Sequence, residues 1–505
     1  MPATFEPLRR LAAATFIALS CAAVAPLAWC GSPALLDPGN AALRDDLAWL
    51  VDRGALQLSL GTWPMTVSLV EDSIARCDCT GLYPEDLEAL AHVKRALQRA
   101  RARSVTLGTR LNSARHPAID PLVPARGRGQ VSVAAQEGGD DWAVRLQGNA
   151  VAQPLAASDS RATLDGSYAA FNGPGLVVAL AAVDRWWGPG QHASPMLSNA
   201  APAVPTLLLR RAAETPFESP WLSWVGPWSY ELSVGRLQHY RPSGTHTLTM
   251  RLSARPLSGL ELGASRYVYW GGAGRPTSLG SLWRALAGDS NVDDPATETD
   301  PSNELAGIDM RWSPPILMGP SLSIYGQVVG EDEANASPSH LIGTFGVQAK
   351  QPVAGHRLEF TLEASDTELG RLWGMADGRH AAPAYRHSAY PRGHYHQGLP
   401  IGAFFGGGGR SLGAGLSWVP PDNGHGLRFH VRGWRAWLGE RGFEAINAAY
   451  GHSGRLDGAL LRVQGDAAAS GLRWHAALSV QRYAAGPRRS VGLQAGIELP
   501  IDPAD

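Results

Sequence analysis

Two stretches of the sequence gather side chains able to do polar and aromatic chemistry together. The first is DRWWGPGQHASPMLSNAAPAVP, Asp184 to Pro205. It sets Trp186 and Trp187 beside the charges of Asp184 and Arg185 and close to the amide of Gln191. An indole face covers sugar C–H groups while carboxylate, guanidinium and amide groups bond hydroxyls, so this grouping suits carbohydrate recognition. The same residues have a second use: inside a shell the indoles would bury as a wedge, with Asp184 and Arg185 paired. The second stretch is YRHSAYPRGHYHQG, in which Tyr385, Arg386, Tyr390 and Tyr395 stand among His387, His394 and His396. It fits a surface for sugar or lipopolysaccharide, or a rim facing lipid headgroups. His394 and His396, two apart on an extended chain, share a face as metal ligands would, but no nearby Asp, Glu or Cys completes a set. No metal or other cofactor is expected.

Catalytic patterns are missing from the sequence. It contains neither a G-x-S-x-G elbow nor an H-E-x-x-H zinc motif. FFGGGGRS, Phe404 to Ser411, lacks the Gly-Lys-Ser/Thr ending of a phosphate loop and reads as a turn where side chains would clash. DSNVDD, within the acidic stretch Ala287 to Glu304, lacks the Gly and terminal Glu of a calcium loop. Glu331, Asp332, Glu333, Glu363 and Asp366 lie near strand ends and could converge as a glycosidase pair, yet their spacing singles out no two of them. The chain reads as non-catalytic.

Composition narrows the class. With 44 Lys+Arg against 45 Asp+Glu, no net field recruits nucleic acid. Gly 58, Trp 17 and 18% charged residues suit an all-β chain with many turns and aromatic interfaces. Arg9 and Arg10 precede the apolar run LAAATFIALSCAAVAPLA, and the small residues Ala28 and Cys30 fit a cut before Gly31, so residues 1–30 read as a secretory signal peptide. Beyond it, no stretch approaches the ~20 apolar residues of a membrane helix. Cys77 and Cys79, in CDC, are expected as free thiols or a labile bridge, since a link between residues that close is strained.

The elements that must position these residues fall into two parts. Residues 31–110 read as a small helical bundle. NAALRDDLAWLVDRG puts Leu43, Leu47, Leu50 and Val51 on one stripe with Asn40 as N-cap and Gly54 as stop. A second helix is expected from about Pro64, and a third has Pro84 in its first turn and arginines at its end. Residues 111–505 carry a period of two instead. RLEFTLEAS sets Leu358, Phe360 and Leu362 against Glu359, Thr361 and Glu363, and SVGLQAGIEL sets Val491, Leu493, Ile497 and Leu499 against Gln494 and Glu498. Short turns alternate with long irregular stretches, Trp270–Asn303, Gly330–Ser339 and Asp366–Arg410, which is the rhythm of an outer-membrane barrel.

Three stretches carry a family likeness: LRDDLAWLVDRGALQLSLGTWP, the tryptophan motif, and AYRHSAYPRGHYHQGLPIGAFFGGGG from Ala384 to Gly409. With them the chain resembles the Wzi-type capsule assembly family, outer-membrane lectins of Gram-negative bacteria, over nearly its whole mature length. The resemblance implies a mainly β protein: a transmembrane antiparallel β-barrel of about eighteen strands with a small N-terminal helical bundle at its periplasmic end. It also implies a role in attaching capsular polysaccharide to the cell surface. Barrels of this kind finish on an aromatic residue, whereas this sequence ends ELPIDPAD. The expected protein is a monomeric, lectin-like anchor in the outer membrane. Its partners would be capsular or extracellular polysaccharide and outer-membrane lipid or lipopolysaccharide. The alternative is a porin-like diffusion channel, since the inward faces are polar.

Overall fold

The computed structural model describes residues 31–77, 79–113, 123–155, 160–278, 280–283, 302–314, 320–334, 337–369, 382–387, 390–422, 424–438, 454–484 and 489–501. The expected signal peptide and most of the acidic stretch Ala287 to Glu304 lie outside these residues.

Eighteen antiparallel strands, each of six residues or more, form a closed barrel running from Ser104–Asn112 to Ser490–Ile501. The last strand pairs with the first, Ile497 opposite Thr109 and Leu499 opposite Leu107, so no edge is left open. Alternation decides which face meets which solvent. Phe360 and Leu362 stand exposed on the outside while Thr361 and Glu363 are buried within. Val431 is exposed between the buried Arg428 and Arg432, and Val491, Leu493 and Ile497 are exposed around the buried Gln494. Such an apolar belt is far larger than a water-soluble monomer exposes, and it matches lipid. Trp142, Trp312 and Trp418 lie exposed at strand ends on one rim, and Trp221 and Trp224 stand out from a connection on that same rim. Indoles gathered at one level mark a membrane–water interface. No helix among the described residues is long and apolar enough to cross a membrane.

The three helices, α1 (Ala41–Asp52), α2 (Val67–Ala75) and α3 (Pro84–Arg101), enter the lumen at the tryptophan-girdled rim. Asn40 caps α1 by accepting the Leu43 N–H at 3.2 Å. The second helix starts later than expected. Thr66 is its N-cap, because Thr62–Trp63 and Met65–Thr66 are taken up in short β pairings. Helix α3 is tied to the rim through Glu85, which accepts the Gly355 N–H at 2.9 Å, and through Arg95, 3.6 Å from Asp422. The barrel begins at Ser104.

One further expectation changes, and for the cysteines one of the two expected states is found. Gly330–Ser339 is not a long loop: Ser321–Ala334 and Ser337–Val353 form one tall hairpin, with Glu331 opposite His340 and Ala334 opposite Ser337. Its polar sequence hid strands that continue past the apolar belt, where no hydrophobic alternation is needed. Cys77 and Cys79 are joined by a disulfide. They sit just past α2 in the turn leading to α3.

Two apolar cores fill the lumen, one above the other. The lower one joins the helices through Leu43, Leu47, Leu50, Val70, Leu90 and Val93. The upper one is made of loops and holds Met196, Leu197, Tyr269, Tyr385, Tyr390 and Phe405. Trp186 belongs to the lower core and its neighbour Trp187 to the upper.

Candidate functional site

The tryptophan motif leaves the strand Leu176–Ala182 at the rim opposite the helices and turns inward. Trp186 and Trp187 then pair antiparallel with Trp63 and Thr62 from the N-terminal segment, making a two-stranded ribbon in mid-lumen. The Gly188 N–H continues the ribbon by donating to the Gly61 carbonyl at 2.8 Å. Arg44 of α1 sits 4.7 Å from the Trp186 ring and 5.6 Å from the Trp63 ring, and Arg185 lies 4.8 Å over Trp187. Arg185 also donates to Glu231 at 2.6 Å and to Ser233 at 2.9 Å, both on the barrel wall. The expected Asp184–Arg185 pair does not form. Asp184 binds Arg126 at 2.9 Å instead, because successive residues of an extended chain point apart.

Beyond the ribbon the chain reverses tightly. A Cβ on Gly190 would lie 2.0 Å from the Ala193 carbonyl oxygen, so only glycine fits. The reversal aims the backbone N–H groups of Gln191, His192 and Ala193 at the Glu363 carboxylate, at 2.6, 3.0 and 2.8 Å, and the Tyr325 hydroxyl donates to it at 2.9 Å. Glu363 thereby serves as an anion seated in a backbone nest. The Gln191 side chain folds back onto the Pro189 carbonyl at 3.0 Å.

The segment from Tyr385 to Phe405 closes over this loop. The Tyr385 hydroxyl donates to the Pro195 carbonyl at 2.7 Å, its backbone N–H donates to Glu331 at 2.6 Å, and Ser198 bonds the Gly402 carbonyl at 2.6 Å. Tyr395 accepts the Gly407 N–H at 3.0 Å. FFGGGG is the close-approach turn its composition suggests: a Cβ on Gly407 would sit 1.8 Å from the Ala384 carbonyl oxygen. His394 Nε2 faces the Met196 carbonyl at 2.8 Å, and a carbonyl can only accept, so Nε2 carries the proton and Nδ1 accepts from the Tyr269 hydroxyl at 2.6 Å. His396 likewise donates from Nδ1 to the Pro202 carbonyl at 3.0 Å and accepts the Gln238 N–H at Nε2. Both imidazoles are buried, and burial pulls each down to about 4, so they stand neutral at pH 7. Neither keeps a nitrogen for a metal ion.

Of the residues singled out in the sequence, Arg185, Trp186, Trp187, Tyr385, Tyr390 and Tyr395 are thus buried in the plug. Asp184 and Gln191 are half-buried, and Arg386 alone is exposed. Sequence reasoning passed over the outward crest above them. Gln238, His239, Arg241 and Arg392 are exposed there with Arg386, on loops joined by the Tyr240 hydroxyl donating to the Gly393 carbonyl at 2.7 Å. Tyr240, Tyr269 and Tyr390 lie beneath as a floor, their rings 5.9 and 6.0 Å apart. The signal was present in LQHYRPSG, a short loop mixing His, Tyr and Arg.

The capsule assembly protein Wzi family profile matches residues 123–443. The chain belongs to this family. It is similar to an uncharacterized 55.8 kDa protein in the cps region of Klebsiella pneumoniae, 30% identical over 91% of this chain and 88% of that one. It is also similar to the solved structure of Wzi, described as an outer membrane protein involved in group 1 capsule assembly in Escherichia coli and as a carbohydrate-binding β-barrel. That likeness has a TM-score of 0.79 at 28% identity, covering 93% of this chain and 99% of that one. The plugged lumen described above is therefore the interior of a Wzi-family barrel.

Proposed function

We propose that this Wzi-family chain is a non-catalytic, carbohydrate-binding protein of the outer membrane that holds capsular or related surface polysaccharide at the cell surface. The observation that carries the reading is the outward crest of Gln238, His239, Arg241, Arg386 and Arg392 set on a tyrosine floor, held still by a lumen packed from both ends. Guanidinium, imidazole and amide groups donate to sugar hydroxyls and carboxylates, and a fixed surface loses little freedom on binding. The buried Trp186, Trp187, Tyr385, Tyr390 and Tyr395 would act one step back, by fixing the loops that present the crest. Glu331 and Glu363, candidates for hydrolysis by their position, accept backbone N–H groups instead and so serve as anchors. The chain would work as a monomer, its belt in lipid and its tryptophan girdle at the periplasmic headgroups.

The test is retention of labelled capsular polysaccharide from the source organism by the purified barrel, against an unrelated capsule. The native polymer should be retained, and Arg241→Ala with Arg392→Ala should reduce retention while barrel migration on unheated gels stays normal. Equal retention by the double variant, or none by the unaltered chain, would contradict the assignment.

A further inference from the structure

The lumen is filled unevenly. Asp46 and Asp52 draw α1 against the wall that carries Arg311, Lys350, Arg357 and Arg428. Across the barrel, between α1, α3 and the strands Ser104–Asn112, Gly127–Gly138 and Trp142–Pro154, a cavity of ≈ 620 Å³ remains. Its lining runs from Ser470 and Gly471 at the girdled rim to Pro124 and Ser160 at the other.

This second wall sets amides among its arginines. Gln130 and Gln147 both donate to Asn149 Oδ1, at 3.0 and 2.9 Å. Arg145 bridges Gln147 Oε1 at 2.8 Å to Gln136 Oε1 at 2.5 Å, and Gln136 donates to the Arg99 carbonyl at 2.6 Å. Most charges at the cavity's margins are spoken for: Arg99 by Asp466 at 2.6 Å, Arg126 by Asp184 at 2.9 Å, and Arg473 by Glu498 at 2.5 Å. Gln130 Oε1 is buried and has no hydrogen-bond partner.

We propose that this cavity is a second carbohydrate site, separate from the outer crest, that takes a short uncharged oligosaccharide. The inference rests on the carbohydrate reading of the chain. A primary amide offers donor and acceptor side by side, which matches neighbouring sugar hydroxyls, and Tyr168 lines the cavity with ring surface. These three ion pairs cancel internally, and the other lining charges, Arg103, Arg110 and Arg145 against Asp37 and Asp165, nearly balance, which leaves little field to select a charged ligand. The volume falls within the ~300–1,000 Å³ of small-molecule sites.

The experiment titrates the purified full-length barrel with oligosaccharides of two to six sugars, prepared by partial hydrolysis of the source organism's own capsular polysaccharide and freed of charged fragments. Two variants are compared, Gln147→Ala, which removes hydrogen bonds, and Ser132→Phe, which fills the space; either one that keeps normal barrel migration suffices. The expected result is one saturable site per chain, weakened about tenfold or more in the variants, with retention of intact polymer unchanged. Unchanged oligosaccharide affinity in a folded variant overturns the inference and leaves the crest standing. So does polymer retention without any oligosaccharide binding. If the unaltered chain binds neither polymer nor fragments, the proposed function itself fails, and the cavity site with it.

Discussion

Trp186 and Trp187 are adjacent in sequence and belong to different cores, because successive residues of an extended pair point to opposite sides. They therefore staple the helical plug to the loop plug. Truncating either should cost about 3–5 kcal/mol of plug packing. Trp186→Ala should expose the helical segment to protease, and Trp187→Ala the loops after Gly188, while the barrel keeps its heat-modifiable migration. Lost migration in either variant would mean the staple is needed to build the barrel. The motif was legible as a buried wedge or a ligand platform, but its partner was not, since Thr62–Trp63 lies far off in sequence with no pattern to announce the pairing. A second prediction concerns His394 and His396. Their ordinary value is 6.5 and burial lowers both to about 4, among Tyr267, Tyr269 and Tyr385 around His394 and near Arg126 and His239 around His396. The docked loops stay neutral where released loops would take up protons, so docking is fully favourable above pH 6.5 and weakens as pH falls towards 4. The opening of residues 194–204, read from hydrogen exchange corrected for the slower intrinsic exchange at low pH, should rise as pH falls from 7 to 5, and His394→Gln should reduce that rise. A flat profile would show that the histidines do not hold the loops.

At the level of elements, α1 is an ionic plug. Asp46 meets Arg357 at 2.6 Å, Arg428 at 2.6 Å and His92, and Asp52 meets Arg311 at 2.5 Å, Ser313 at 2.6 Å and Lys350. Burial pushes the Asp52 carboxyl upward, but these cations hold it down at about 2. Removing one partner of such a buried cluster costs about 3–5 kcal/mol, because the arginines are left unpaired. Asp46→Ala with Asp52→Ala should therefore loosen α1 and raise single-channel conductance in planar bilayers well above that of the unaltered protein. Equal conductance would mean that packing alone seats the helix. The cap and apolar stripe of α1 were readable in sequence. The targets of its acids were not, since inward arginines recur on many strands and periodicity does not say which of them a helix will meet.

For the whole molecule, the barrel was the most legible feature. Closure demands that every strand alternate, and Leu358–Leu362 and Val491–Leu499 do so cleanly. The reading failed at Gly330–Ser339, where strands rise past the lipid and lose the alternation that betrays them. It failed also for the cavity, which arises from where the plug is pulled and not from any one segment. A barrel whose lumen holds two packed cores turns a crest of donors outward, and repeating sugars engage such crests on many copies at once. Weak single contacts then add through effective concentration, by about 10²–10⁴-fold. The decisive measurement is equilibrium binding of one capsular polysaccharide, intact and as short fragments, to barrels embedded at controlled density in a lipid bilayer. Intact polymer should bind at least about a hundredfold more tightly than its fragments, with the gap closing as the barrels are diluted in the bilayer. Equal affinity for polymer and fragments at every density would contradict the account.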